Sequence, residues 1–229
     1  MSLILQIETA TTSCSVALAQ NGKVLSHKSV NQRNIHAEVI TVFISEIFAL
    51  NNLKFENLDA VAVNSGPGSY TGLRIGVSTA KGLCFSLDKP LIAIETLLSM
   101  TAGYLSRFST QTEEKFLLCP MIDARRMEVY TALFDQDLKK IKETSAAIIT
   151  AESFQEELNQ HKIIFFGDGS AKCKSLLGNH PNAIFINDFL NEATDLTSIA
   201  AAKFHQQQFE DVAYFEPFYL KDFIGSKIG

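Results

Sequence analysis

Residues 61–83, VAVNSGPGSYTGLRIGVSTAKGL, run from an apolar strand through a glycine-proline-glycine turn directly into a helix. A strand that feeds a helix at once is the building unit of α/β sheets, so this stretch sets the fold class. Its turn, which comprises Gly66, Gly68, Ser69, Gly72 and Arg74, has the form of a phosphate cradle. The glycines permit positive φ and close backbone approach, and the free N–H groups opening the helix near Leu73 favour an anion. The competing reading is a tight strand-to-helix crossover, with Gly66 and Gly68 shaping the turn and Gly76 and Gly82 allowing close packing.

Working outward, LILQIE (3–8) and SCSVALAQNGKVLSHKSV (13–30) read as three strands, the last two joined by an Asn21-Gly22 hairpin turn. A helix is predicted over 35–50, then strand LDAVAVN, the glycine turn, a helix to Leu87, strand PLIAI and a helix from Thr96. This first half ends near residue 106. SRFSTQTEEK (106–115) is polar and suits a link. FLLCPMID, RMEVYTALFD and LKKIKETSAAIIT then give three more strands, the first two turning at DARR (123–126). Helix AESFQEELNQ, strand KIIFFG, turn GDGS (167–170), a helix to Leu177, strand AIFI and helix DLTSIAAAKFHQQQ follow in the order of the first half. GPGS against GDGS is the visible echo in residues; coincidental α/β order is the rival explanation. The expected fold is α/β, with duplicated halves forming two actin-like or ribonuclease H-like lobes. Residues 1–106 would form the first and 107–229 a smaller second, whose C-terminal segment could pack back on the first.

Composition narrows the function. The 229 residues are 46% hydrophobic, enough for a sizeable core, and the net charge of −5 argues against a chain that holds nucleic acid unaided. Any RNA role would lean on a partner. Strand-like ILQIE within a few residues of Met1 leaves no basic-then-apolar leader, and no apolar run approaches the roughly 20 residues of a membrane helix. Cys14, Cys84, Cys119 and Cys173 are scattered without a CxxC, which suits buried free thiols in a cytoplasmic protein.

The first helix, IHAEVITVFISEIFAL, is apolar nearly all round. Ile35, Val39, Ile40, Phe43, Ile44, Ile47, Phe48 and Leu50 cover well over half its circumference, whereas Glu38, Thr41 and Ser45 share a narrow sector. Covering its own sheet needs an apolar stripe of about 100°. A second buried face is therefore expected, against a protein partner or between the chain's own halves. His36 and Glu46 interrupt the apolar arc and need partners if buried.

Catalytic patterns are scarce. His27, His36, His161, His180 and His205 form no HExxH or HxxxH pair, so no metal is expected, and neither a GxSxG elbow nor a Walker sequence occurs. Asp123-Ala124-Arg125-Arg126 could join an acid to an anion-binding guanidinium pair, although a solvated hairpin turn has the same composition. Glu8 ends the first strand, where an actin-like fold places a metal-linked carboxylate. A single acid at a strand end is weak evidence for one.

Taken in order, LILQIETATTSCSVALAQNGKVL, RNIHAEVI, LDAVAVNSGPGSYTGLRIGVSTAKGL, PMIDARRMEVYTALF, GDGS and PFYL (217–220) closely resemble the TsaB (YeaZ) family. The resemblance spans nearly the whole chain and is weakest over 138–210. It implies a two-lobed fold of the actin-like ATPase class and a non-catalytic subunit of the bacterial complex that makes threonylcarbamoyladenosine at position 37 of tRNAs reading ANN codons. It further implies pairing with the transferase TsaD, joint recruitment of the ATPase TsaE, indirect contact with tRNA, and self-dimerisation when TsaD is absent. No cofactor is implied. The TsaD HxxxH metal pair corresponds to Thr96 and Met100, neither of which replaces an imidazole. Glu8 stands where the family usually has Asp, Tyr70 where Phe is common, and Lys221 where Arg is usual. Ile35, Val39, Phe43, Ile47 and Phe48, chosen from the helical wheel, are the expected partner or dimer contacts.

The alternatives are an actin-like nucleotide-binding enzyme using the glycine cradle, or a glycoprotease-like peptidase. A further possibility is direct tRNA contact through Arg125, Arg126 and Lys162. With no metal pair to serve a bound phosphate, GPGSYTGLRIG reads mainly as an inherited turn that fixes the packing of the helix from Leu73 to Leu87.

Overall fold

The computed structural model describes residues 2–108 and 115–221. Strands β1 (Leu3–Glu8), β2 (Ser13–Gln20) and β3 (Lys23–Asn31) form an antiparallel meander. The β2–β3 turn puts Asn21 at φ 51° and Gly22 at φ 74°, the left-handed pair that a two-residue hairpin requires. Helix α1 (His36–Leu50) leads to β4 (Ala60–Gly66), α2 (Tyr70–Leu87), β5 (Leu91–Glu95) and α3 (Thr96–Phe108). The pattern then repeats. Strands β6 (Phe116–Asp123), β7 (Glu128–Phe134) and β8 (Lys140–Ile148) form a second meander, followed by α4 (Gln155–Leu158), β9 (Lys162–Phe166), α5 (Ser170–Leu177), β10 (Ala183–Phe185) and α6 (Thr197–His205).

The two sheets share one topology. The first runs β3-β2-β1-β4-β5 and the second β8-β7-β6-β9-β10, with β1 and β6 each antiparallel to the following strand and parallel to the fourth. This shared order makes the duplication a property of the fold, an α/β pair of actin-like lobes.

Both faces of the first sheet are covered, so β1 is buried throughout and reads as a continuous apolar run. Leu5, Ile7, Val16 and Val63 meet α1 and α2 on one face. Ile4, Ala60, Ala62, Ile92 and Ile94 meet Leu196 and Ala200 on the other. That second contact departs from the simple order of halves, because α6 covers the first sheet. Conversely, Leu97, Met100 and Tyr104 of α3 pack with Leu118, Ile122, Phe134 and Phe166 of the second. Each half thus lends its last helix to the other.

Two expected helices are shorter than their patterns. Over 151–160 the helix is a single turn, because the Ser153 hydroxyl accepts the Thr150 N–H at 3.0 Å and Phe154 is left-handed at φ 61°. Over 195–208 a 3-10 turn, Ala193–Leu196, precedes α6. After α6 the chain returns along the first sheet. Glu210 bridges Leu91, the Lys81 ammonium donates to the carbonyls of Ala213 and Phe215 at 3.2 and 2.9 Å, and the Phe218 N–H donates to the Ser65 carbonyl at 2.7 Å. No helix among the described residues is long and apolar enough to cross a membrane. All four cysteines are buried and unpaired, and burial pushes the thiols of Cys14, Cys84 and Cys119 up to about 12.

Candidate functional site

In the glycine turn, Gly66 adopts φ 115° at the end of β4, and a side chain there would run into the Phe218 carbonyl. A Cβ on Gly68 would strike the Ala10 carbonyl, and one on Gly72 the Thr9 carbonyl. Gly76 lies against the Thr9 hydroxyl. The space that the glycines open is therefore filled by this chain's own β1–β2 connection and its near-terminal PFYL segment. The Ser69 N–H donates to the Ala10 carbonyl at 2.7 Å, and its hydroxyl accepts the Gly72 N–H at 3.2 Å, capping α2 from within. Arg74 is exposed; its guanidinium lies 4.2 Å from the centre of the Tyr70 ring, and Tyr70 packs against Tyr219 with centroids 4.8 Å apart. The GDGS turn repeats the device. Gly167 has φ 98° with its missing Cβ facing the Met121 carbonyl and the Met100 methyl, and the Gly169 N–H donates to the Met121 carbonyl at 3.0 Å.

Between the lobes, the carboxyl ends of the first sheet meet α3 and the β10–α6 connection across a buried polar seam. Glu8 is fully buried; its Oε1 accepts the Ala10 N–H at 2.6 Å, and burial pushes its carboxyl up to about 8. Thr96 is fully buried with its hydroxyl unpartnered, and Met100 packs in the second core beneath Gly167. One hydroxyl and one thioether do not make the donor set of a hard or borderline metal. Among the described residues no three His, Cys, Asp or Glu side chains converge as a metal site. Around this seam the Ser99 hydroxyl donates to the Asn64 side-chain Oδ1 at 3.1 Å, that of Thr197 to the Gln6 side-chain Oε1 at 2.9 Å, and the Ala193 N–H to the Ser15 hydroxyl at 2.8 Å. The mouth of the interlobe cleft holds about 300 Å³, lined by Thr12, Asn31, Gln32, Arg33, Asp123 and Asp168.

Helix α1 sorts the residues chosen from its wheel. Ile47 and Phe48 are buried in the first core beside Ile40 and Ile44, so neither can meet a partner while the chain is folded. Ile35, Val39 and Phe43 are half-buried. The apolar residues that α1 turns outward are Val42, 49% exposed, and Leu50, 70% exposed; the neighbouring α2 adds Phe85 at 85%. Sequence reading missed Val42 and Phe85 as surface residues, although Phe85 lies off the stripe made by Leu73, Val77, Ala80 and Cys84. His36 finds its partners in the Thr11 and Ser13 carbonyls, 3.0 and 3.2 Å from Nε2, and Glu46 pairs with Lys28.

The three cations considered for RNA contact are not brought together. Lys162 pairs with Phe116 at one end of β6, whereas Arg125 and Arg126 follow Asp123 at the other. Asp123 is itself held by Lys172.

Comparison with known proteins agrees with this architecture. Residues 23–224 match the family model described as TsaD, tRNA N6-adenosine threonylcarbamoyltransferase. The Escherichia coli protein named tRNA threonylcarbamoyladenosine biosynthesis protein TsaB is 30% identical over 231 residues, covering 98% of this chain and 96% of that relative. Among solved structures, YeaZ from Pseudomonas aeruginosa superposes with a TM-score of 0.81 at 24% identity, over 96% of this chain and 100% of that one. An activator of 2-hydroxyisocaproyl-CoA dehydratase from Clostridium difficile, solved with ADPNP, shares the fold at a TM-score of 0.50 and 9% identity, covering 91% of this chain and 98% of the other.

Proposed function

The chain belongs to the TsaB family of tRNA threonylcarbamoyladenosine biosynthesis proteins, and from that membership we propose that it serves the modification as a non-catalytic subunit. The observation that carries the reading is the donor set at the head of α3. Where the transferase family would hold a metal, this chain presents the buried side chains of Thr96 and Met100, neither of which offers an imidazole. It binds TsaD through the first lobe, residues 1–106, by the outer surfaces of α1 and α2, and the pair recruits TsaE. Without TsaD, a second copy of this chain takes the same face. The tRNA is met through the complex in the cytoplasm. Exposed Val42, Leu50 and Phe85, with the half-buried Ile35, Val39 and Phe43 beside them, supply the apolar centre that a stable interface needs.

A reconstituted assay with TsaD, TsaE, ATP, threonine, bicarbonate, the adenylate-forming enzyme and unmodified tRNA tests this. Phe85→Asp and Leu50→Asp should each abolish co-purification with TsaD and tRNA modification. Undiminished modification by both variants would refute the interface. Magnesium-dependent ATP turnover by the isolated chain would instead favour an enzyme.

A further inference from the structure

Residues 218–221, outside any helix or strand, cross from one lobe to the other. On the first lobe the Phe218 N–H donates to the Ser65 carbonyl at 2.7 Å, and the Phe218 carbonyl closes over Gly66, where a Cβ would collide with it. The Tyr219 ring sits 4.8 Å from that of Tyr70 at the start of α2, and its hydroxyl accepts Arg74 Nε at 3.4 Å. Two residues on, the Lys221 ammonium pairs with the Glu128 carboxylate at the start of β7, in the second lobe.

A second tie joins the lobes at the other end of the same strand. Glu95, the last residue of β5, accepts the Lys140 ammonium at 2.8 Å on one carboxylate oxygen and the Thr144 hydroxyl on the other. Lys140 stands opposite Phe134, where β7 ends, so the seven residues of β7 set the two ties about 20 Å apart at the rise of a strand.

The two ties differ in position and strength. Glu95 directly precedes α3, through which the chain first passes to the second sheet, so its tie lies at the hinge. The Lys221 pair lies far from that crossing and acts with a lever arm. It is a single ion pair with Lys221 45% exposed, open to screening by salt. It also borders the cleft, because Val129, next to Glu128, pairs with Asp123, and Asp123 and Asp168 line the mouth opposite Asn31, Gln32 and Arg33 of the first lobe. We propose that residues 218–221 are a strap that holds the lobes closed over the interlobe cleft, seated on α2 by Tyr219 and released where Lys221 meets Glu128. Parting of that pair lets the second lobe swing about Glu95 and widens the mouth.

Spin labels on Gln32→Cys and Lys174→Cys, exposed positions in the first and second lobes, report the cleft in the full chain by pulsed electron-spin distance measurement; the four native cysteines are buried. At low salt the unaltered chain should give one narrow distance distribution, and at high salt a broader one centred at longer distance. Lys221→Glu and Glu128→Lys should each show the broad, longer distribution at both salt concentrations. The double variant, with the charges exchanged, should restore the narrow one at low salt, a recovery that damage to folding in either single variant would not give. A low-salt distribution in Lys221→Glu that matches the unaltered chain, or a double variant that stays open, would overturn the strap.

Discussion

Nη2 of Arg107 lies 2.7 and 2.6 Å from the two carboxylate oxygens of Asp195, joining the last turn of α3 to the 3-10 turn that precedes α6. The Asp195 side chain is 2% exposed, and its carboxylate rests against the backbone of Gly103, where a side chain would collide with it. The pair therefore sits where the exchanged helices meet. Burial pushes the Asp195 carboxyl up to about 7 against the pull of the guanidinium.

Removing the cation should expose that tension. Arg107→Met leaves the buried carboxylate uncompensated, a loss of about 3 kcal/mol by analogy with other broken buried pairs. The penalty should be full at pH 8, where Asp195 must ionise or take up a proton against the bulk, and smaller at pH 5, where it holds its proton readily. Urea denaturation at the two pH values checks this; an equal loss at both would show that Arg107 acts by packing alone.

Glu8 gives a pH dependence with a definite sign. Its folded carboxyl titrates near 8 against an ordinary value of 4.5, so the folded chain binds the proton more tightly than the unfolded one. The associated stability is fully present below about pH 4.5 and is lost as pH rises through about 8. Glu8→Gln keeps a carbonyl oxygen to accept the Ala10 N–H and removes the titration. Its melting temperature should match the parent chain's near pH 5 and exceed it at pH 9. Parallel melting curves across that range would mean that Glu8 is ionised in the folded chain.

How much of this was legible in sequence depends on the distance over which each feature is encoded. The glycine turns, the Asn21-Gly22 hairpin and the strand periods are local, and GPGS and GDGS fall at equivalent ends of β4 and β9. The exchange of α3 and α6 is not local. An apolar stripe states that a face is buried, never against which sheet. The wheel of α1 could not separate Ile47 and Phe48 from Val42 for the same reason: all three are apolar, and only the packing against the first core, with the Phe48 ring centred 4.6 Å from that of Phe55, turns the first two inward. Arg107 and Asp195 stand 88 residues apart, and nothing in either neighbourhood announces the other.

Folding and docking can be separated on the first-lobe helices. Ile47→Ala empties a fully buried site and should cost about 2–5 kcal/mol. Phe85→Ala removes a ring that is 85% exposed and should change stability by no more than about 0.5 kcal/mol. If α2 docks TsaD, the second variant should nonetheless weaken the complex at least tenfold in a titration followed by light scattering. Retention of full affinity by stable Phe85→Ala would remove Phe85 from the interface.

The glycines of α2 provide the sharpest internal contrast, since two of them stand ten residues apart in one helix with opposite surroundings. A Cβ on Gly72 would enter the Thr9 carbonyl, which belongs to backbone and cannot swing aside, so Gly72→Ala should destabilise by about 1–3 kcal/mol through forced displacement. Gly82 has no atom within 4 Å of the position its Cβ would occupy. There alanine relieves the backbone entropy that glycine adds to a helix interior, and Gly82→Ala should stabilise the isolated chain by about 1 kcal/mol. Thermal melts of the two variants decide the matter. A loss of stability in Gly82→Ala would mean that the helix surface meets another part of the chain at that point, whereas a gain leaves its bare surface open to close approach by a partner.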